Sequence, residues 1–119
     1  MINTGTNTIV ATVTLPAGSG PSAIAITPDG SRAYVANFGN DTVSVINTET
    51  NTVMATVTLP AGSQPTAIAI TPDGSRAYVA NFGNAANTVS VINTASNTVI
   101  ATLPGFRPTF IAITPILLF

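Results

Sequence analysis

The chain has 119 residues, 45% hydrophobic and 6% charged, with a net charge of −1 and neither cysteine nor histidine. That excludes disulfides and thiolate metal sites, and the three isolated arginines Arg32, Arg76 and Arg107 exclude the clustered cations a nucleic-acid surface needs. The same scarcity disfavours an electrostatic grip on a membrane; no run reaches the ~18 apolar residues of a spanning helix, because Thr, Ser, Asn, Gly or Pro interrupts each one.

Taken in chain order, Thr8 to Leu15 alternates and reads as a lone strand, followed by a Pro/Gly/Ser loop. Ala23 to Thr27 is a short strand ended by Thr-Pro-Asp-Gly, where Pro pre-sets φ, Asp bonds nearby backbone and Gly accepts positive φ. Ala33 to Asn37 is the second strand, stopped by Asn-Phe-Gly-Asn, and Thr42 to Ile46 the third. After the turn Asn47-Thr48-Glu49-Thr50-Asn51, Thr52 to Leu59 forms the fourth. Its alternation predicts Val53, Ala55, Val57 and Leu59 on one face, with Met54, Thr56 and Thr58 on the other.

The pattern then repeats. Ala23 to Asn40 recurs without change as Ala67 to Asn84, about 44 residues on, and Ile46-Asn47-Thr48 returns as Ile92-Asn93-Thr94 after a small insertion, Ala85-Ala86. A third copy begins at Ile111-Ala112-Ile113-Thr114-Pro115 and diverges into Ile116-Leu117-Leu118-Phe119. Four antiparallel strands every 40–45 residues is the blade signature of a β-propeller. The expected fold is therefore all-β, built of four-stranded antiparallel blades. Its units are 1–22, a lone outer strand and linker; 23–59, a complete blade; 60–102, a linker and a complete blade; and 103–119, a linker, one first strand and an apolar tail.

Tyr34-Val35-Ala36-Asn37 and Tyr78-Val79-Ala80-Asn81 resemble the Tyr-Val-Thr-Asn repeat of surface-layer-like propellers, with Ala in place of Thr. The Thr-Pro-Asp-Gly-Ser-Arg turn and the Val-Ser-Val-Ile-Asn-Thr strand are similar to the same repeat. The resemblance spans nearly the whole chain. It implies archaeal surface or secreted bacterial proteins, on a fold that hosts binding, scaffolding and lyase activities alike.

Even a four-blade ring takes ~176 residues at this period, so 119 cannot close a ring alone. The chain is expected to be completed by further blades of a longer chain or by its own copies, joined head-to-tail into a ring or filament. Ile111, Ile113, Ile116, Leu117, Leu118 and Phe119 are the candidate assembly interface, since apolar residues there replace a polar turn.

No catalytic or metal site is expected, and no cofactor. Asp29 and Asp73 occupy the same turn in successive blades, and the repeat replaces Asp41 by Asn87 and Glu49 by Ala95. Loops from fourth to first and from second to third strands emerge on one end, carrying Phe38, Asn40, Gln64, Phe82 and Asn84 as candidates for glycan or protein recognition. Asn40-Asp41-Thr42 is also an N-glycosylation pattern, which agrees with an extracellular or cell-surface location. The chain thus reads as a non-enzymatic structural repeat protein. A carbohydrate- or protein-binding module and a fragment of a longer propeller are the alternatives.

Overall fold

The computed structural model describes residues 1–83 and 88–104. Regular structure among them is entirely β. The strands are β1 (Ile2–Asn3), β2 (Thr8–Ile9), β3 (Pro21–Ile26), β4 (Arg32–Asn37), β5 (Thr42–Asn47), β6 (Thr52–Thr58), β7 (Pro65–Ile70), β8 (Arg76–Asn81), β9 (Thr88–Asn93) and β10 (Thr98–Pro104). They form two antiparallel four-stranded sheets in meander order, β3-β4-β5-β6 and β7-β8-β9-β10, which are the two predicted blades. The tail from residue 105, with Arg107, Ile111, Ile113, Ile116, Leu117, Leu118 and Phe119, lies outside the described residues, as do Asn84 and Asn87.

The turns form as their residues dictate. In the β3–β4 turn the Gly30 amide donates to the Thr27 carbonyl at 2.8 Å, with Gly30 at φ 76°, and Gly74 repeats this at φ 75° in the second blade. The β5–β6 and β9–β10 turns close through Asn51 (φ 57°) and Asn97 (φ 56°), because Asn tolerates the left-handed region better than other residues with a side chain.

The N-terminus adds a hairpin that the lone-strand expectation does not contain. Ile2 pairs with Ile9 and Asn3 with Thr8, around Asn7 at φ 55°. In blade 1, Ile46 pairs with Val53 and Asn47 with Thr52, so residues 1–15 are the outer part of a preceding blade. Strand geometry within the expected Thr8 to Leu15 is confined to Thr8–Ile9.

The fourth strand also departs from its predicted alternation. The β5–β6 register slips so that Val45 faces Ala55 while Ile46 faces Val53, leaving Met54 as a bulge. One extra residue turns the start of the strand over. Val57 and Leu59 are buried and Ala55 half-buried as expected, but Val53 is 37% exposed and lies on the opposite face. The second blade repeats the slip at Ile100.

The main core lies between the blades. Tyr34, Ala36, Val43, Val45, Val57 and Leu59 of blade 1 pack against Ile68, Ala77, Val79 and Ile92 of blade 2. At the inner edge, β7 packs on β3 and β4, and the Ser22 hydroxyl donates to the Pro65 carbonyl at 2.7 Å. A smaller cluster of Ala33, Val35 and Ile46 lies on the other side of blade 1, with Val13 and Leu15 against it.

Candidate functional site

Of the predicted recognition residues, Phe38, Asn40, Gln64 and Phe82 sit at the end of the blades where β4 gives way to β5. Phe38 is 41% exposed, and its amide donates to the Gly20 carbonyl at 2.9 Å. Asn40 is exposed, and its amide nitrogen reaches the Ser19 hydroxyl at 3.4 Å. Gln64 and Phe82 are half-buried and meet one blade further on, where the Phe82 amide donates to the Gln64 carbonyl at 3.3 Å. Phe38 and Asn40 therefore form one group with the Ser19 loop, and Phe82 and Gln64 form another.

Asp41 ties these groups together, a role its replacement in the next repeat conceals. Its two carboxylate oxygens accept from the Gln64 amide at 2.7 Å and the Gly62 amide at 2.9 Å. Asp41 thus staples the loop between blades, with the backbone at φ 58° aiming the carboxylate inward. The glycine of Asn-Phe-Gly-Asn has a steric reason too. A Cβ on Gly83 would collide with the Gly62 carbonyl oxygen, and one on Gly39 with that of Gly18.

At the opposite end, a cleft of about 350 Å³ opens between the blades, lined by residues that include Asp29, Arg32, Tyr34, Asp73 and Thr94. Its carboxylates are turn-formers. Asp29 Oδ1 accepts from the Thr27 hydroxyl at 2.7 Å, the Ser31 amide at 3.0 Å and the Ser31 hydroxyl at 2.8 Å. The Ser31 amide bond, followed by the Thr27 and Ser31 hydroxyl bonds, lowers the Asp29 pKa to about 2. Asp73 is lowered to about 2 as well, first by Thr71 and then by the Ser75 amide. Among the described residues no group of three or more acidic, His or Cys side chains is placed to hold a metal.

One contact between the blades is not announced by the sequence. Tyr34 is fully buried and reaches from blade 1 into the β9–β10 turn of blade 2, where its hydroxyl donates to Asn97 Oδ1 at 2.7 Å. Beside it the Arg32 guanidinium donates to the Thr94 carbonyl at 3.3 Å. Burial pushes the Tyr34 phenol above its ordinary pKa, against the opposing pull of Arg32. Both residues recur at fixed repeat positions, as Tyr78 and as Asn51 and Asn7. That recurrence was the available signal, but it does not say that the pairing runs between blades.

The outer faces of the blade pair repeat the faces packed between the blades, but they are covered only in part. Ile24 and Ile68 occupy equivalent places in identical stretches of sequence, yet Ile24 is 61% exposed and Ile68 8%. Beside the contact of Val13 and Leu15, a groove of about 650 Å³ opens between residues 1–15 and this face, lined by apolar side chains that include Ile2, Ile9, Leu15, Ile24 and Ile26. At the far side of blade 2, Leu103 is 46% exposed where its counterpart Val57 is 4%.

Similarity to known proteins agrees with this geometry. The chain matches the family model "Lactonase, 7-bladed beta-propeller" over residues 2–110. No curated protein matches it. Among solved structures, a Kuenenia stuttgartiensis hydrazine synthase chain is similar at 30% identity and a TM-score of 0.71, covering 87% of this chain and 28% of that one. The WD40 repeats of RRP9 share the fold at 16% identity and a TM-score of 0.66, covering 78% of this chain and 28% of theirs. The chain thus spans less than a third of either structure, as two blades and part of another should. With the family match running through both blades, the chain belongs to the lactonase family of 7-bladed β-propellers.

Proposed function

We propose that the chain is a structural, non-catalytic stretch of propeller, completed by further blades and working outside the cell or at its surface. The observation that carries this is the contrast between Ile24 and Ile68: the same side chain is buried where a neighbouring blade is present and bare where it is not. The Tyr-Val-Ala-Asn repeat supports the surface-layer-like assignment, and Asn40, exposed within Asn-Asp-Thr, is accessible to glycosylation.

The family's name raises lactone hydrolysis as a property of relatives. A non-catalytic role here is supported by how the acidic side chains are used: Asp29 and Asp73 hold turns, and Asp41 holds a loop. The purified chain, assayed at high dilution, tests both points. It is expected to be folded, to bind an apolar dye such as anilinonaphthalene sulfonate through its bare faces, and to hydrolyse no lactone above buffer. A folded monomer that binds no dye, or lactone turnover that follows the folded chain through purification, overturns the proposal.

Recognition through the loop end is a second reading, favoured by the exposure of Phe38 beside Asn40. An exposed aromatic ring next to amide groups suits stacking on a sugar or a protein side chain. Phe38→Ala would then abolish glycan or protein capture without changing the fold.

A further inference from the structure

The Tyr34–Asn97 contact has two unused halves, one at each end of the blade pair. Asn51 stands in blade 1 where Asn97 stands in blade 2, with the same left-handed backbone, and its Oδ1 is buried with no hydrogen-bond partner. A carbonyl left in that state is costly unless something donates to it. Tyr78 is the counterpart of Tyr34, half-buried where Tyr34 is fully enclosed.

The surroundings recur with them. Ala33, Val35 and Ile46, with the bare Ile24, repeat the Ala77, Val79, Ile92 and Ile68 surface that blade 2 presents to blade 1. On the other side, Tyr78 and the exposed Leu103 repeat the places of Tyr34 and Val57. The two outer faces are therefore the two halves of an interface the chain already forms internally.

We infer that the chain docks head-to-tail on a second copy of itself, the Tyr78 face of one copy seating on the Ile24 face of the next so that Tyr78 donates to Asn51 of the neighbouring copy. This rests on the proposed role as an incomplete propeller stretch. A second copy fits because it offers, residue for residue, the surface that already covers the equivalent face inside the chain. Residues 1–15 give way to the incoming blade. Residues 1–10 are all exposed, and of this segment Val13 and Leu15 are the side chains that pack on the smaller core. The contact joins two different faces, so it propagates into a ring or a filament according to the rotation per copy.

Sedimentation velocity across a concentration series tests this, using the wild-type chain, Ile24→Arg, Tyr78→Arg, their equimolar mixture and Tyr78→Phe, with circular dichroism checking each fold. The wild type is expected to associate beyond a dimer as concentration rises. Each Arg variant spoils one of the two faces in every copy and stays monomeric. The mixture retains one intact pair of faces and forms a one-to-one dimer. Tyr78→Phe removes only the hydroxyl and weakens association about five- to tenfold, the scale of one buried hydrogen bond. It keeps the test decisive should either Arg variant fail to fold.

A wild type that stays monomeric at every concentration overturns self-docking. If that monomer binds the apolar dye, the proposed role stands and only the identity of the neighbour was wrong. Association of the wild type with no dimer in the mixture, or with Tyr78→Phe unimpaired, also overturns the inference by placing the contact elsewhere.

Discussion

Ile68→Ala and Ile24→Ala make the same chemical change in the same sequence context, so their difference isolates the value of a neighbouring blade. Ile68 is 8% exposed and packs in the core between the blades, where truncating a buried Ile to Ala costs about 2–5 kcal/mol. Ile24 is 61% exposed. Full burial of such a side chain is worth about 1.5–3 kcal/mol, so its partial burial leaves about 1 kcal/mol to lose. The loss of β-branching affects both strands alike, by up to ~1 kcal/mol, and cancels in the comparison. Urea unfolding followed by far-ultraviolet circular dichroism, on protein dilute enough to be monomeric, reads the difference. With a slope of ~2 kcal/mol per molar urea, Ile68→Ala lowers the midpoint by about 1–2.5 M and Ile24→Ala by about 0.5 M. Equal shifts for the two variants would refute the claim that blade 2 covers one copy of this surface and leaves the other bare.

Alkaline titration addresses Tyr34. Burial raises its folded pKa, so the stability it lends is complete below the ordinary phenol range, near pH 10, and is lost as pH rises through the folded value. Tyr34→Phe should therefore be less stable at neutral pH, by about 1–3 kcal/mol for the carbonyls left buried, and should lose less additional stability between pH 10 and 12. Acid titration addresses the turns. Asp29 and Asp73 are lowered from 3.8 to about 2, so their contribution is complete above about pH 4 and disappears as pH falls toward 2. The double variant Asp29→Asn, Asp73→Asn should flatten that limb of the stability curve; an unchanged acid limb would count against the turn hydrogen bonds. Asp41→Ala removes two carboxylate bonds to backbone amides and should cost about 1.5–3 kcal/mol, with faster amide exchange at Gly62 and Gln64. Unaltered exchange at those two amides would mean that the loop is held by other groups.

Much of the architecture was legible because the repeat is nearly identical. An unchanged stretch from Ala23 to Asn40 returning as Ala67 to Asn84 forces the same strands twice. Strand limits within the two blades came within a residue or two, since Asp-Gly and turn-closing Asn residues mark the turns. The bulge at Met54 was not legible. Alternation assumes an unbroken register, and a one-residue slip is decided by pairing with β5, which leaves no mark in the apolar pattern. The N-terminal hairpin had a signal, because Ile2-Asn3-Thr4 repeats Ile46-Asn47-Thr48, but two residues are too short for periodicity to register.

The sites were harder to read than the blades. Phe38 and Asn40 emerge where the topology puts them, and their exposure is a tertiary fact that no residue pattern states. Asp41 looked dispensable because the second repeat substitutes it, whereas its partners Gly62 and Gln64 belong to the next loop. The Tyr34–Asn97 contact escaped for the same reason, since it spans residues over sixty positions apart that nothing but blade packing brings together. In a repeat protein the interfaces between units carry the specificity, and sequence read unit by unit does not reveal them.

Amide hydrogen exchange of the dilute, monomeric chain is the most direct test that identical repeats here have unlike surroundings. β3 (Pro21–Ile26) and β7 (Pro65–Ile70) differ in sequence only at Ser22 and Thr66 and each pairs with its own second strand, but the Ile68 face of β7 is buried against the other blade while the same face of β3, with Ile24, is exposed. The expected result is markedly slower exchange in β7 than in β3. Equal protection of the two strands would contradict the picture of a propeller segment with one covered and one bare copy of the same face.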